Sequence, residues 1–335
     1  MRTALRVTAS LAVAALLVAL LMAWGGVDAG EIASGWKRVS AGTLLAATAT
    51  YALQYVFRAE RFRVLFPPAV RPRFGTTLSV TAAYGMATLI LPAKLGEATF
   101  LVYLNRAAGA GTNETLAALV VARLLDFASL FLGFGIASLG LAASGAHAEL
   151  AWLAPLGAAL VAAAIAVLGL AVRGDVLVRI ATGTARALGL ARFAVGRRLV
   201  ERVDSLAGAL RDSARDGRAV RAAVLSLPMW ACVFAFCALL GRGFGLPESV
   251  GFAAASFGAS LAILTSIVPL SAFANFGTLE AGWVLGFGIF GVSREVALAT
   301  GTGLHVVQLV LAIAFGVAGH VGMGLVARSR SDGAR

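Results

Sequence analysis

Residues 115–143 read TLAALVVARLLDFASLFLGFGIASLGLAA, and this stretch decides the fold. As a helix rising ~1.5 Å per residue it is long enough to cross a ~30 Å hydrocarbon core. Its only ionisable residues, Arg123 and Asp126, stand three apart. Side chains at that spacing are neighbours on a helix and can pair. Counted from Thr115, they lie roughly 12 and 17 Å along the axis, close to the middle of a bilayer.

Working outward, further apolar stretches of spanning length fall at about 4–24, 39–57, 151–172, 222–241 and 295–326. With 115–143 they make about six full spans. A chain of 335 residues with 60% apolar and 13% charged residues does not divide into soluble domains; it reads as one membrane domain, residues 1–335. The fold class expected is an all-α polytopic membrane protein.

A net charge of +12 invites a nucleic-acid reading, and the placement of the charge rejects it. Grouped by these spans, 22 of the 28 Lys and Arg residues fall on one side. They are Arg2, Arg6, Arg58, Arg61, Arg63, Arg71, Arg73, Arg106, eleven between Arg173 and Arg221, and Arg328, Arg330 and Arg335. Lys37, Arg38, Arg242 and Arg294 fall on the other side. This is the positive-inside pattern of a cell-membrane protein with both termini in the cytoplasm. The first apolar run resembles a signal peptide, with a small-residue site near Val27, Asp28 and Ala29. It exceeds the usual ~7–15 residues of a signal core and is read as a span.

Two apolar regions, 74–105 and 249–292, are broken by Pro and charge. In the first, a long arm runs to Leu91 and a short one from Ala98 to Leu104, with Pro92 between them. In the second, the arms are Gly251 to Val268 and Ala281 to Phe290, with Pro269 between them. Counting crossings makes each a re-entrant hairpin, with Gly96 and Gly277 near the turns. Backbone of this kind is tolerated in a membrane where protein or a wet cavity satisfies its polar groups. The chain thereby divides into two inverted repeats, 1–143 and 148–326, the second containing a basic cytoplasmic linker, 173–221. In that linker Leu199, Val203, Leu206 and Leu210 share one helical face.

Ionisable groups near the centre of a membrane helix each cost ~2.5–3.5 kcal/mol on insertion scales, so they need partners or a purpose. Here they are Lys94, Glu97, Arg123, Asp126 and Glu280. Lys94 and Glu97 are three apart after Pro92 and are expected to meet Arg123 and Asp126 at the hairpin tip. The second half offers Asn275 and Glu280 at its hairpin, with His305 and Gln308 in the following span. Glu97 and Arg123 are 26 residues apart, Glu280 and His305 25, as a repeat would give. The eight residues are the candidate substrate-binding set, and Glu97 and Glu280 are expected to line one cavity with Arg123.

Enzyme chemistry is poorly supported. His147, His305 and His320 lack metal-ligand spacing, and no Walker-type glycine loop is present. Cys232 and Cys237 lie on different faces of one span, which supports neither a disulfide framework nor a metal site. No cofactor is expected.

Four motifs resemble the transmembrane region of lysylphosphatidylglycerol synthases and its stand-alone, flippase-like relatives. They are Arg58-Ala59-Glu60-Arg61-Phe62-Arg63, Leu91-Pro92-Ala93-Lys94-Leu95-Gly96-Glu97, Arg123-Leu124-Leu125-Asp126, and Pro269 through Gly277-Thr278-Leu279-Glu280. Where the family is richer in Gly, this chain has Ser271, Ala272, Phe273 and Ala274. The resemblance implies lipid translocation between leaflets, or support of lipid-linked synthesis beside lipid or glycan biosynthesis enzymes. The chain ends nine residues after Val326, so a stand-alone member without the lysine-transferring domain is expected. The partners expected are membrane lipids with charged headgroups, an anionic phospholipid or a polyprenyl-phosphate-linked lipid. Two other classes compete with translocation: an integral-membrane transferase in lipid-linked glycan synthesis, and an accessory subunit of a lipid-synthesis complex.

Overall fold

A computed structural model describes residues 36–91, 96–144, 148–187, 207–213, 216–267 and 276–332. The first expected span, the turns at Pro92 and Pro269, Lys94, Asn275, His147 and most of the linker face lie outside the described residues. Among those described there are helices and no strand.

The first half contains α1 (Ala41–Leu65), α2 (Phe74–Ile90), α3 (Gly96–Ala108) and α4 (Thr112–Ala143). The second contains α5 (Leu153–Val172), α6 (Gly174–Ala187), α7 (Arg218–Phe244), α8 (Phe252–Ile267), α9 (Thr278–Gly288) and α10 (Arg294–Asp332). Among the described residues, four helices are long and apolar enough to cross a membrane: Thr112–Ala143, Leu153–Val172, Arg218–Phe244 and Arg294–Leu325. The chain is an all-α polytopic membrane protein.

The span expected at 39–57 is corrected in two respects. Its helix has the length to cross, at 25 residues, but falls outside the apolar spans because Tyr51, Gln54 and Tyr55 dilute it; all three face an interior cavity. It also runs past Phe57 to Leu65, through Arg58, Arg61 and Arg63. Those residues were expected beyond the span, on the cytoplasmic side. Charge alone does not end a helix; Pro67 and Pro68, which cannot continue one, follow its end.

Helix lengths repeat in order. From α1 to α4 they are 25, 17, 13 and 32 residues, and from α7 to α10 they are 27, 16, 11 and 39. Packing follows the same scheme. α1 lies on its counterpart α7, while α2 packs on α10 and α8 packs on α4. Exchanging the halves converts the last two pairings into each other. Within each half the two short helices pack together, α2 on α3 and α8 on α9.

Glycine permits both short-helix contacts. A Cβ on Gly96 would stand 2.5 Å from the Ala87 carbonyl, and one on Gly282 would stand 2.6 Å from the Ala262 Cα. Gly277 serves differently: its φ of +92° is a backbone conformation that side chains resist. A tight aromatic core around Tyr51, Trp230, Phe236, Trp283 and Phe287 joins the halves.

Candidate functional site

Between the halves lies a cavity of about 480 Å³ with walls from every one of these helices except α5 and α6. One wall is charged. Arg58 and Arg61 come from α1, Tyr84 from α2, Glu97 from α3, Arg123 and Asp126 from α4, and Trp230 from α7. The lining from α8, α9 and α10 is mostly apolar, with Ala259, Ala262, Ile263 and Ile267 beside Ser266 from α8, Leu279 and Trp283 from α9, and Leu304 from α10. Gln308 is its polar member on α10.

Asp126 is the hub of the charged wall. Its Oδ1 accepts from Arg61 Nη1 at 2.6 Å and from Trp230 Nε1 at 3.3 Å, and its Oδ2 from Arg123 Nη1 at 3.3 Å. Arg123 reaches Glu97 Oε1 at 3.1 Å through Nη2, which also donates to the Tyr84 hydroxyl. Two carboxylates are thus held by two guanidiniums, in a setting where an unpaired charge would be costly. The arginines differ in access: Arg61 is 1% exposed and Arg123 37%. Arg61 is therefore built into the protein, and Arg123 faces the cavity. Arg61 Nε and Arg123 Nε have no hydrogen-bond partner. Arg58 sits 5.6 Å from the Tyr55 ring centre, in range of a cation–π contact.

The expected pairing of Arg123 with Asp126 is present, and Glu97 joins it. Arg61, Tyr84, Trp230 and Arg58 were missed as cavity residues. Arg61 and Arg58 did carry a signal, within the motif after the second span, but the basic run around them read as lying beyond the span. Tyr84 and Trp230 carried none beyond being polar aromatics in apolar helices.

The expectation that Glu280 shares a cavity wall with Glu97 and Arg123 is corrected. Glu280 and His305 are 1% and 0% exposed and are absent from the cavity lining. They pair with each other, Glu280 Oε1 to His305 Nδ1 at 2.6 Å, and Glu280 Oε2 accepts the Gly277 N–H at 2.7 Å. A buried carboxylate is satisfied by the nearest donors, and here those lie behind the wall rather than in the cavity. Of the expected pair His305 and Gln308, only Gln308 reaches the cavity. Among the described residues no group of three metal-ligating side chains occurs. Cys232 and Cys237 are free thiols.

Two halves of helices in the same order of length around a charged interior cavity define a polytopic membrane protein with a polar interior. Its sequence matches the family described as "Lysylphosphatidylglycerol synthase TM region" over residues 7–316. The chain belongs to that family. A search of curated proteins gave no match.

Proposed function

We propose that this protein translocates a lipid with an anionic, phosphate-bearing headgroup between the leaflets of the cell membrane, working as two inverted repeats around the cavity. One observation carries the reading: Arg123, paired but accessible, opens onto a cavity whose lining from α8, α9 and α10 is mostly apolar. A lipid needs both surfaces, a cation for its phosphate and an apolar wall for the start of its chains. Arg123, with Lys94, receives the phosphate. Glu97 and Asp126 balance the charge in the empty site, Arg58 and Gln308 add polar lining, and Asn275 is assigned to the same substrate-binding set. Pro92, Gly96, Pro269 and Gly277 shape the hairpins that move.

The repeat assignment is supported by the helix lengths and the exchangeable packing. Broken helices at matching positions of two halves are the arrangement that places a transporter site near the midplane. Both termini are assigned to the cytoplasm by the distribution of basic residues. At that end Arg71 donates to the Phe66 carbonyl; burial, then repulsion from Arg63 and Arg221, lowers its pKa. Such a basic face attracts the anionic lipids of the inner leaflet.

The test is reconstitution into vesicles carrying leaflet-labelled lipids of several headgroup classes. Anionic lipids are expected to exchange leaflets faster than zwitterionic ones, and faster than in protein-free vesicles. Exchange no faster than in empty vesicles for every class overturns the proposal. Conversion of labelled lipid to a new product would instead identify an integral-membrane transferase.

A further inference from the structure

The structure contains a second ionisable site that the lipid cavity does not use, the sealed pair of Glu280 on α9 and His305 on α10. We propose that this pair is a proton-binding site and that proton binding there is coupled to lipid movement through the cavity. The coupling rests on the translocation reading above; the proton site does not.

The pair is built for one proton. Glu280 Oε2 accepts the Gly277 N–H, and Glu280 Oε1 shares a hydrogen bond with His305 Nδ1. With the shared proton on Nδ1, Nε2 is the basic atom of the imidazole. His305 Nε2 is buried and has no hydrogen-bond partner. With the imidazole neutral, the pair carries one net negative charge in a dry interior. A proton added to the Nε2 lone pair makes an imidazolium beside a carboxylate, net neutral, with no other bond made or broken. The Phe276 ring, stacked on the imidazole at 4.3 Å, can face the cation.

No neighbouring group supplies a substitute charge. α8 carries no titratable side chain. α7 brings the Cys232 and Cys237 thiols, with Arg218, Arg221 and Arg242 toward its ends; α2 brings Tyr84; and α1, whose Tyr51 and Tyr55 meet Phe315 of α10, brings those phenols and Arg58. α3 brings Glu97, held by Arg123, Tyr103, which meets His320, and Arg106. Among the described residues none forms an ion pair with Glu280 or His305 other than each other.

Comparison of the two halves sharpens the point. Glu97 of α3 pairs with Arg123 of α4 at 3.1 Å, and Glu280 of α9 pairs with His305 of α10 at 2.6 Å. The helices correspond and the contact recurs, but one half uses arginine, which stays protonated, and the other histidine, the residue type suited to gaining and losing a proton. A staple alone would work with arginine in both. The His305 pair is one residue removed from the cavity in each helix: Leu279 beside Glu280, and Leu304 beside His305, are lining residues. Glu280 also holds Gly277 at the hairpin turn, so its charge bears on the hairpin's shape.

The experiment uses full-length protein in vesicles with a labelled anionic phospholipid, the membrane potential clamped at zero and a pH step imposed. One proton per lipid sets a leaflet asymmetry of about tenfold per pH unit. His305→Arg, which copies the first-half pair and keeps the site neutral, is expected to abolish that asymmetry. Lipid exchange that ignores the pH step, or asymmetry that persists in His305→Arg, overturns the coupling. In parallel, 15N-histidine NMR of the protein in nanodiscs follows the His305 signal, assigned by its loss in His305→Gln, and needs no transport. Proton gain at Nε2, altered by Glu280→Gln, supports the site even if no lipid moves; an imidazole with one protonation state from about pH 5 to 9 overturns it.

Discussion

Trp230 of α7 donates its indole N–H to Asp126 of α4 at 3.3 Å, across 104 residues of sequence. The charged wall is therefore shared: a carboxylate from the first half is completed by a donor from the second. Any rearrangement that separates the halves at this level must break this bond, and the cluster reports on their relative position.

Replacing Trp230 by Phe keeps the ring and removes the donor. A hydrogen bond to a charged group contributes about 1.5–3 kcal/mol, so a lower unfolding temperature in detergent is expected. Wild-type stability would show that the indole contact contributes nothing to the fold.

Arg61 and Asp126 are expected to behave as a structural pair. Either single neutralisation, Arg61→Gln or Asp126→Asn, leaves a buried charge without its main partner and should cost about 3–5 kcal/mol. The double variant should recover much of that stability. Thermal unfolding of all three variants checks it; additive losses would show the two residues to be uncoupled.

Arg123 should behave differently because it faces the cavity. Arg123→Gln is expected to abolish lipid exchange in vesicles, and Arg123→Gln with Glu97→Gln, which removes both partners of that pair and leaves Arg61 with Asp126, to fold without regaining exchange. A well-folded double variant with full exchange would make Arg123 scaffold rather than site.

Two glycines should respond in opposite directions to Ala. At Gly286 a Cβ would stand 2.7 Å from the Gly258 Cα, backbone against backbone, whereas at Gly140 of α4 nothing lies within 4 Å. Gly286→Ala should destabilise by about 1–3 kcal/mol through overpacking, and Gly140→Ala should stabilise by about 0.5–1 kcal/mol through helix propensity. Unfolding temperatures that fail to move apart would refute the α8 and α9 contact.

Orientation can be read chemically. Single cysteines at Gly30 and Ala146, in a background lacking Cys232 and Cys237, should react with an impermeant reagent added outside intact cells. One at Ser205 should not, and labelling there would reverse the assigned topology.

Much of this architecture was legible as apolar length. Residues 115–143, 151–172, 222–241 and 295–326 became α4, α5, α7 and α10 with small shifts at the ends, because a membrane span is a local property of composition. The pairing of Arg123 with Asp126 was legible for the same reason, being fixed by helix geometry. Arg61 was not. Its neighbours Arg58, Glu60 and Arg63 read as a wet basic run, and only the face that α1 turns toward α4 and α7 decides that Arg61 is buried. The seclusion of Glu280 and His305 was hidden likewise: spacing placed them in matching helices, while side-chain packing placed them behind the wall.

The burial of Arg61 also bears on how the protein is made. Its guanidinium meets Asp126, which is synthesised 65 residues later, and Ser226 at 3.3 Å, 165 residues later. A nascent chain that has inserted α1 alone exposes an uncompensated charge to lipid, which insertion machinery tolerates poorly. α1 is therefore expected to remain beside the translocon until α4 arrives and to settle fully once α7 has entered. A chain truncated between them would display an orphaned arginine within the bilayer, a mark by which membrane proteases could recognise an incomplete product.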